Sequence, residues 1–462
     1  MKRYRQGICV VLAAFMTISL CGCGKSKEVI QPMNQEKAYS FSFPIVGGKD
    51  VMPIGGYYGP VPGQLSMDGQ SMPDYFTDEI YEKFVGCGVN LITQSFTDYA
   101  NNPDMVIKML ELGEKYDIGL CVRDWNATNA KNPVDMDEFM NAYRDYPAFC
   151  GMYVVDEPGN ETCYPSKDGE NDIPVYEQVF KNLNELDTFG YGNLFPILDK
   201  SYYDKYDSYV EEWCETCNPK VLSYDFYPFD KGRKLEDYFY NMDVIRKYAN
   251  KYEIPFWSFI QAGSQWNDAA KKFDTEGYYP SEGEMTWNVN TCLAFGSKGI
   301  QYFPLLQPHY FAFAESTPFD FYRNGLVGMW GNKTQWWYYA KTINEQITAV
   351  DEVLMNAVNK GVIVSGEEAK EHTKGLEAII EGTSWRELED VTGNVLIGCF
   401  NYQGKSALYV VNYEREYAQK VTLNLQDTYK LSMTQNAEET KIETDKLELD
   451  LKAGEAVLVV FE

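Results

Sequence analysis

The feature that most constrains the fold is a regular alternation, from residue 54 onward, of short apolar runs with longer stretches of helical periodicity. The stretches between the runs, such as DMVIKMLELGEKY, carry apolar residues at helical spacing, and several end on glycine. The runs are rich in β-branched, aromatic and aliphatic residues, as strands are. They lie at 53–61, 89–97, 118–126, 149–158, 193–200, 221–229, 255–263 and 299–308.

Two α/β architectures accommodate such an alternation. An open doubly wound sheet is expected to carry a glycine-rich phosphate turn after its first strand, and GGYYGP at 55–60 does not fit that pattern. Eight consecutive right-handed units over roughly 250 residues match a closed (β/α)8 TIM barrel. We therefore predict such a barrel over residues 45–358.

The texture of the chain changes after about residue 360. NVLIGCFNYQG, SALYVVNYE, QKVTLNLQD and AVLVVFE alternate apolar and polar residues at the period of strands, with no helical stretch among them. This pattern predicts a small all-β antiparallel sandwich over residues 359–462.

The N-terminus predicts a targeting segment. MKRYR is positively charged, ICVVLAAFMTISL is apolar but short for a membrane span, and LCGC follows. LCGC resembles the lipobox of bacterial lipoproteins, which implies that residues 1–23 are a signal peptide region cleaved before a lipid-modified Cys23. Residues 24–44 would then form a polar tether, and the protein would be extracytoplasmic, contacting the membrane through its lipid alone. The alternative is a plain secretory signal.

Charge and composition exclude several classes of function. The net charge of −27 argues against nucleic acid as a partner, because a polyanion would be repelled. The two histidines, His309 and His372, are too few for a multi-histidine metal site and disfavour a Ser-His-Asp triad, so we predict no metal and no cofactor. The cysteines after Cys23 are scattered as small buried hydrophobes would be, although Cys214 and Cys217 form a C-x-x-C compatible with a surface disulfide.

Chemistry in such barrels lies where strands end and the following loops begin. Acids occur at five of these ends, and for two of them, Asp98 and Asp199, helix capping is the favoured interpretation. Carboxylates accept hydrogen bonds from sugar hydroxyls and aromatic faces stack on pyranose rings, so we expect a neutral oligo- or polysaccharide as partner. The candidate substrate-binding residues are Tyr57, Tyr58, Asp124, Trp125, Tyr227, Trp257, Gln261, Trp266, Tyr302 and His309.

The fourth run, FCGMYVVDEP, ends in Asp156, Glu157 and Pro158. An acidic pair with proline at this place is similar to the acid/base motif of barrel glycoside hydrolases. Asp before the glutamate resembles the β-N-acetylhexosaminidase-type barrels, because the largest clan usually has Asn there. SYDFYPF, EMTWNVNTCLAFGSKGIQYF and the C-terminal sandwich add to the resemblance. It implies a surface-anchored glycoside hydrolase in which Glu157 protonates the leaving oxygen.

The seventh run reads FIQAG, so Gln261 stands where a retaining clan member has its nucleophile. One route left open is substrate-assisted, with Asp156 orienting an N-acetyl group of the sugar. Another is inversion, with Asp225 as general base, or Glu282 or Glu284 if their loop covers the mouth. A covalent route through another acid, and a non-catalytic glycan-binding lipoprotein with a degenerate barrel, are the remaining alternatives.

Overall fold

The structure is a computed structural model, and its residues 1–50, which include Cys23 and the predicted tether, lie outside the described part of the chain. Within the described ranges no helix has the length and apolar character needed to cross a membrane. The described ranges are 51–61, 66–67, 70–71, 73–95, 97–160, 171–230, 232–263, 266–267, 272–273, 279–307, 325–382 and 385–462.

Eight parallel strands form a closed barrel, which confirms the predicted α/β fold. Strand β1 pairs with β2 on one side and with β8 on the other, where Ile54 lies opposite Ile300, and this pairing closes the sheet. The strands are β1 (Ile54–Tyr57), β2 (Leu91–Gln94), β3 (Gly119–Val122), β4 (Phe149–Asp156), β5 (Gly190–Leu194), β6 (Leu222–Tyr224), β7 (Phe256–Gln261) and β8 (Ile300–Phe303).

A helix follows each strand and covers the outside of the barrel. The helices are α1 (Asp78–Gly86), α2 (Pro103–Tyr116), α3 (Pro133–Met140), α4 (Glu177–Glu185), α5 (Tyr203–Cys217), α6 (Leu235–Lys251), α7 (Glu282–Ala294) and α8 (Gln335–Thr348). Two shorter helices follow, α9 (Asp351–Asn356) and α10 (Glu367–His372). A single helical turn, Trp125–Thr128, precedes α3.

The fifth strand begins earlier than the sequence predicts. Two of its outward positions are glycines, which are uncommon in strands and therefore did not indicate its start. A Cβ at Gly190 would lie 2.8 Å from the Leu183 side chain, and one at Gly192 would lie 2.7 Å from Trp213. The helices α4 and α5 therefore approach β5 at closer range than side chains would allow. The inward positions that alternate with these glycines carry Tyr191 and Asn193 instead.

The C-terminal part is one continuous antiparallel sheet that bends back on itself. The long hairpin of β13 and β14 pairs with β10 at one end and with β15 at the other, so its two halves belong to different layers. A separate apolar cluster that includes Val421, Leu449 and Ile397 fills the space between the layers. The strands are β9 (Val358–Ser365), β10 (Leu388–Thr392), β11 (Val395–Tyr402), β12 (Lys405–Asn412), β13 (Gln419–Gln435), β14 (Glu438–Leu451) and β15 (Ala456–Phe461).

The described cysteines are buried, as expected of small hydrophobes. Cys214 and Cys217 are among them, so the surface disulfide considered for this pair is wrong. Both side chains lie on α5 and pack into the barrel core.

Candidate active site

The end of β4 delivers two carboxyl groups to the mouth of the barrel. The strand runs to Asp156, and Glu157 then adopts a φ of 52°, a left-handed conformation that a non-glycine residue rarely takes. The turn is fixed on both sides, because the Glu157 N–H donates to the Asn193 carbonyl at 2.8 Å and Tyr209 donates to the Pro158 carbonyl at 2.8 Å. The strained turn therefore aims both acids at the mouth.

A third carboxyl group, that of Asp225 just after β6, joins the pair through Asn193. The Asn193 amide nitrogen donates to Asp156 Oδ1 at 3.1 Å and to Asp225 Oδ1 at 2.9 Å. The two accepting oxygens share one NH2 group, so they cannot lie further apart than the sum of these distances. The three acids that the sequence predicts to be catalytic are thus brought together.

The carboxyl of Glu157 differs from the other two in its hydrogen bonding. No residue in the described part of the chain donates a hydrogen bond to it. Burial, followed by the negative charges of Asp225 and Asp156, raises the pKa of Glu157 to about 9. Glu157 is therefore protonated at neutral pH and able to give up a proton.

Asp225 and Asp156 differ from Glu157 in that hydrogen bonds to their carboxyl groups favour the ionised form. Burial and the charge of Asp156 raise the pKa of Asp225 to about 7, and the hydrogen bond from Asn193 offsets part of that rise. Burial also raises the pKa of Asp156, against hydrogen bonds from Tyr57 and Asn193. The Asp156 side chain is open to solvent through the mouth while protein encloses its other sides, so a ligand can reach it.

Aromatic side chains from several strands surround the acids. Tyr57 and Tyr58 follow one another at the end of β1, and both rings contact Phe303, at centroid distances of 6.1 and 5.7 Å. Tyr227 lies 5.5 Å from the same ring, and burial, followed by the charges of the nearby carboxyl groups, raises its pKa. Phe259 completes the group, 5.2 Å from Tyr57. These rings give the mouth an apolar wall beside its charges.

Four of the predicted substrate-binding residues have structural roles. Asp124 accepts hydrogen bonds from Tyr143 at 2.9 Å and from a backbone N–H of the turn Trp125–Thr128 at 2.9 Å. Gln261 accepts from the Phe229 N–H at 3.1 Å and donates to the β6–α6 loop.

The other two are aromatic residues that are buried in the scaffold. Trp257 is buried inside the barrel and stacks on Tyr191 at 6.2 Å. Tyr302 points outward and donates to Asn344 of α8 at 2.7 Å. Neither side chain lies where a ligand at the mouth would touch it.

The other candidates in the described part of the chain are one exposed aromatic residue and three acids that have structural hydrogen bonds. Trp125 is 63% exposed at the end of β3, as a sugar platform would be. Asp199 caps the turn Lys200–Tyr202, as favoured from the sequence, and Asp98 accepts from the Trp125 N–H at 3.0 Å. Glu284 forms a capping box with Ser281 at the start of α7, which assigns it to the helix rather than to the mouth.

Some predictions fall outside the described residues: His309 does so entirely, and Trp266 is described in its backbone alone. In the residues that are described, no group of three or more histidine, cysteine or acidic side chains has an arrangement that could hold a metal ion.

Sequence reasoning missed Asn193 and Tyr153. Asn193 is the last residue of GYGN, in which two glycines make a strand difficult to recognise from the sequence. Its side chain is fully buried. Tyr153 lies inside β4 and its hydroxyl is 3.3 Å from that of Tyr57. The available signal was the period of two along each strand, which places Tyr153 on the inner face of the barrel.

Comparison with known proteins identifies the architecture. No protein-family model matches the chain, and no curated protein matches it. A β-galactosidase from Bacillus circulans sp. alkalophilus is 10% identical, with a TM-score of 0.56 over 92% of this chain and 100% of that one. A catalytic mutant of Gan42B, a GH42 β-galactosidase from G. stearothermophilus, is 10% identical, with a TM-score of 0.55 over 92% of this chain and 99% of that one. The chain has the fold of these glycoside hydrolases. At this identity the likeness shows the fold alone.

Proposed function

We propose that this protein is a glycoside hydrolase that acts on a neutral glycan, with Glu157 as its general acid. The observation that carries the proposal is the unequal treatment of three adjacent carboxyl groups in an aromatic mouth. Asp156 and Asp225 share a hydrogen-bond donor, whereas no described residue donates to Glu157. Neighbouring acids in environments that separate their pKa values are the arrangement that acid–base catalysis of glycosidic cleavage requires.

In the proposed reaction Glu157 transfers its proton to the glycosidic oxygen as the bond from that oxygen to the anomeric carbon breaks. The leaving sugar departs as a neutral alcohol, and the positive charge that develops on the anomeric carbon is stabilised by the ionised Asp156 and Asp225. The half-buried ring of Tyr227 offers a face on which the pyranose can stack.

Two routes supply the nucleophile. In the substrate-assisted route the carbonyl oxygen of an N-acetyl group attacks the anomeric carbon while Asp156 orients the amide, and Glu157 later removes a proton from the attacking water. In the inverting route water attacks directly and Asp225 takes its proton. Gln261 takes part in neither, since its amide is committed to the β6–α6 loop.

The test is a screen of the purified protein against chromogenic N-acetylhexosaminides, galactosides and glucosides, with β-galactosides included because both neighbours act on them. Proton NMR of the first product then reads the anomer: retention with N-acetyl sugars alone selects the substrate-assisted route, and inversion on plain glycosides selects Asp225. Glycan binding without turnover on any substrate would replace this proposal with the binding lipoprotein.

We also propose that the protein is tethered outside the cytoplasm through a lipid on Cys23. The support is the LCGC motif and the polar segment 24–44 that follows it. Replacing Cys23 by Ser should move the protein from the membrane fraction to the soluble fraction, and unchanged membrane association would contradict the anchor.

A further inference from the structure

We propose that Asn193 is a positioning residue that holds Asp156 and Asp225 as a pair beneath the substrate, and that Ser223, Tyr191 and Gln301 fix the orientation of its amide. This inference rests on the proposed function for its meaning in catalysis. The arrangement itself is a property of the barrel interior and can be tested without any substrate.

The orientation of the Asn193 amide follows from its neighbours. Two carboxylate oxygens can accept only from its NH2 group, and the Ser223 hydroxyl lies 3.0 Å from its Oδ1. Ser223 has one proton to donate, and that proton goes to Oδ1. A flipped amide would place its oxygen against the two aspartates and lose both hydrogen bonds to them.

The same reasoning sets the direction of the hydrogen bonds behind Ser223. Because the Ser223 proton is used, Tyr191 must be the donor in the 3.0 Å contact between the two hydroxyls. Gln301 Nε2 donates to Tyr191 at 2.8 Å and to Ser223 at 3.0 Å. The donors therefore run in one direction, from β8 through β5 and β6, and end on the two carboxyl groups. Such a chain polarises each successive donor.

The barrel leaves room for this chain at one glycine. A Cβ at Gly55 of β1 would lie 2.9 Å from the Gln301 side chain and 3.2 Å from the Ile300 carbonyl. Gln301, Tyr191 and Ser223 are at most 1% exposed, so water does not compete for these hydrogen bonds.

Several groups influence the ionisation of Asp156 and Asp225, and Asn193 donates a hydrogen bond to both of them. Burial raises the pKa of both carboxyls, and the hydrogen bonds from Asn193 offset part of that rise. Arg233 acts in the same direction on Asp225. The other titratable groups that face the pair are Tyr57 of β1, Tyr153 and Glu157 of β4, Tyr191 of β5, and Tyr224 and Tyr227 of β6 and its loop.

The decisive experiment is a 13C NMR titration of the aspartate carboxyls in the wild type and in Asn193→Ala, with Asp156→Asn and Asp225→Asn used to assign the signals. We expect Asn193→Ala to raise the titration midpoints of both carboxyls by about one pH unit, since a donor to each charged form is lost. Asn344→Ala is the matched control, because it removes another buried amide, on α8, and should leave both midpoints in place.

A second variant protects the test if Asn193→Ala does not fold. Ser223→Ala keeps the amide but removes the donor that orients it, so we expect a smaller shift in the same direction. Unchanged midpoints in both variants would overturn the inference, as would equal shifts in Asn344→Ala.

Turnover provides a readout that separates this inference from the proposed function. If the protein hydrolyses glycosides, Asn193→Ala should lower kcat more than it raises KM and should move the acidic limb of the pH profile to higher pH. If the titrations shift as expected and no glycoside is cleaved, the positioning role stands while the proposed function fails. If hydrolysis is found and the midpoints do not move, the proposed function stands and the positioning role fails.

Discussion

The mouth of the barrel and its junction with the C-terminal sheet both enclose acids, but the two regions differ in the hydrogen bonds that these acids receive. At the junction, Asp243 of α6 accepts hydrogen bonds from the Glu377 N–H at 2.7 Å and the Ala378 N–H at 2.8 Å. Its neighbour Arg246 donates to Asn359 at 2.8 Å. At the mouth, Glu157 has no donor among the described residues and faces two other carboxyl groups.

The difference teaches how to separate a structural acid from a functional one. A buried carboxylate with two backbone donors stabilises the fold, because removing it leaves those N–H groups unpaired. A carboxyl that gains no donor and repels its neighbours is costly to the fold and is retained for chemistry. Substitutions in the two regions should therefore change activity and stability in opposite proportions.

The largest expected effect is on turnover in Glu157→Gln. Removing the proton donor should lower kcat by about a thousandfold on ordinary glycosides, since general acid catalysis contributes roughly 10²–10⁴. Glu284→Gln is the matched control, because glutamine also satisfies a capping box and this side chain belongs to α7. Initial rates on the active glycoside check this, and equal losses in the two variants would remove the contrast.

A second pair of substitutions compares the aspartates of the two regions. Asp225→Asn should lower kcat by about tenfold or more while leaving the fold intact, because it removes a charge that helps to keep Glu157 protonated. Asp243→Asn should instead lower the free energy of unfolding by about 1–3 kcal/mol and leave the activity per folded molecule unchanged. Denaturant unfolding and rates measured on the same samples decide between these outcomes.

The pH dependence of kcat/KM sharpens the assignment within the mouth. The inverting route needs Asp225 ionised, which is lost below its pKa of about 7, and Glu157 protonated, which is lost above its pKa of about 9. We therefore expect a bell between these values. A profile that falls throughout from pH 5 to pH 9 would contradict an acid with so high a pKa.

The smallest effect is a gain in stability on replacing Glu157. Its pKa in the folded protein, about 9, lies above the ordinary glutamate value of 4.5, so the folded state keeps a proton that the unfolded chain releases. The wild type therefore loses stability as pH rises from about 5 to 9, and Glu157→Gln does not. We expect the variant to be more stable by about 1 kcal/mol at pH 8, a value reduced because the carboxyl is partly open to solvent. Thermal unfolding across this pH range measures it.

The sequence predicted the barrel because strand and helix periods alternate without interruption, and it placed the three acids at the mouth because parallel strands end at one face. It misassigned Tyr302 because aromatic type does not reveal orientation. Gln301 and Phe303 point into the barrel, so the residue between them points out. Trp257 points inward, but at a depth that a one-dimensional pattern does not encode.

The C-terminal sheet shows a second limit. Alternation predicted its strands, but it did not reveal the register irregularity between Asn424 and Tyr429 in the pairing of β13 with β14. Asn193 shows a third, since its importance comes from residues on β4, β6 and β8 that meet only when the barrel closes.

The most direct test of the central claim, that Glu157 is the proton donor, is the leaving-group dependence of hydrolysis in Glu157→Gln. Dinitrophenyl glycosides leave without protonation, whereas alkyl glycosides require it. The account predicts that the variant retains most of its bond-cleavage rate on the former and loses it on the latter. Equal rates in the variant and the wild type on alkyl glycosides would contradict it.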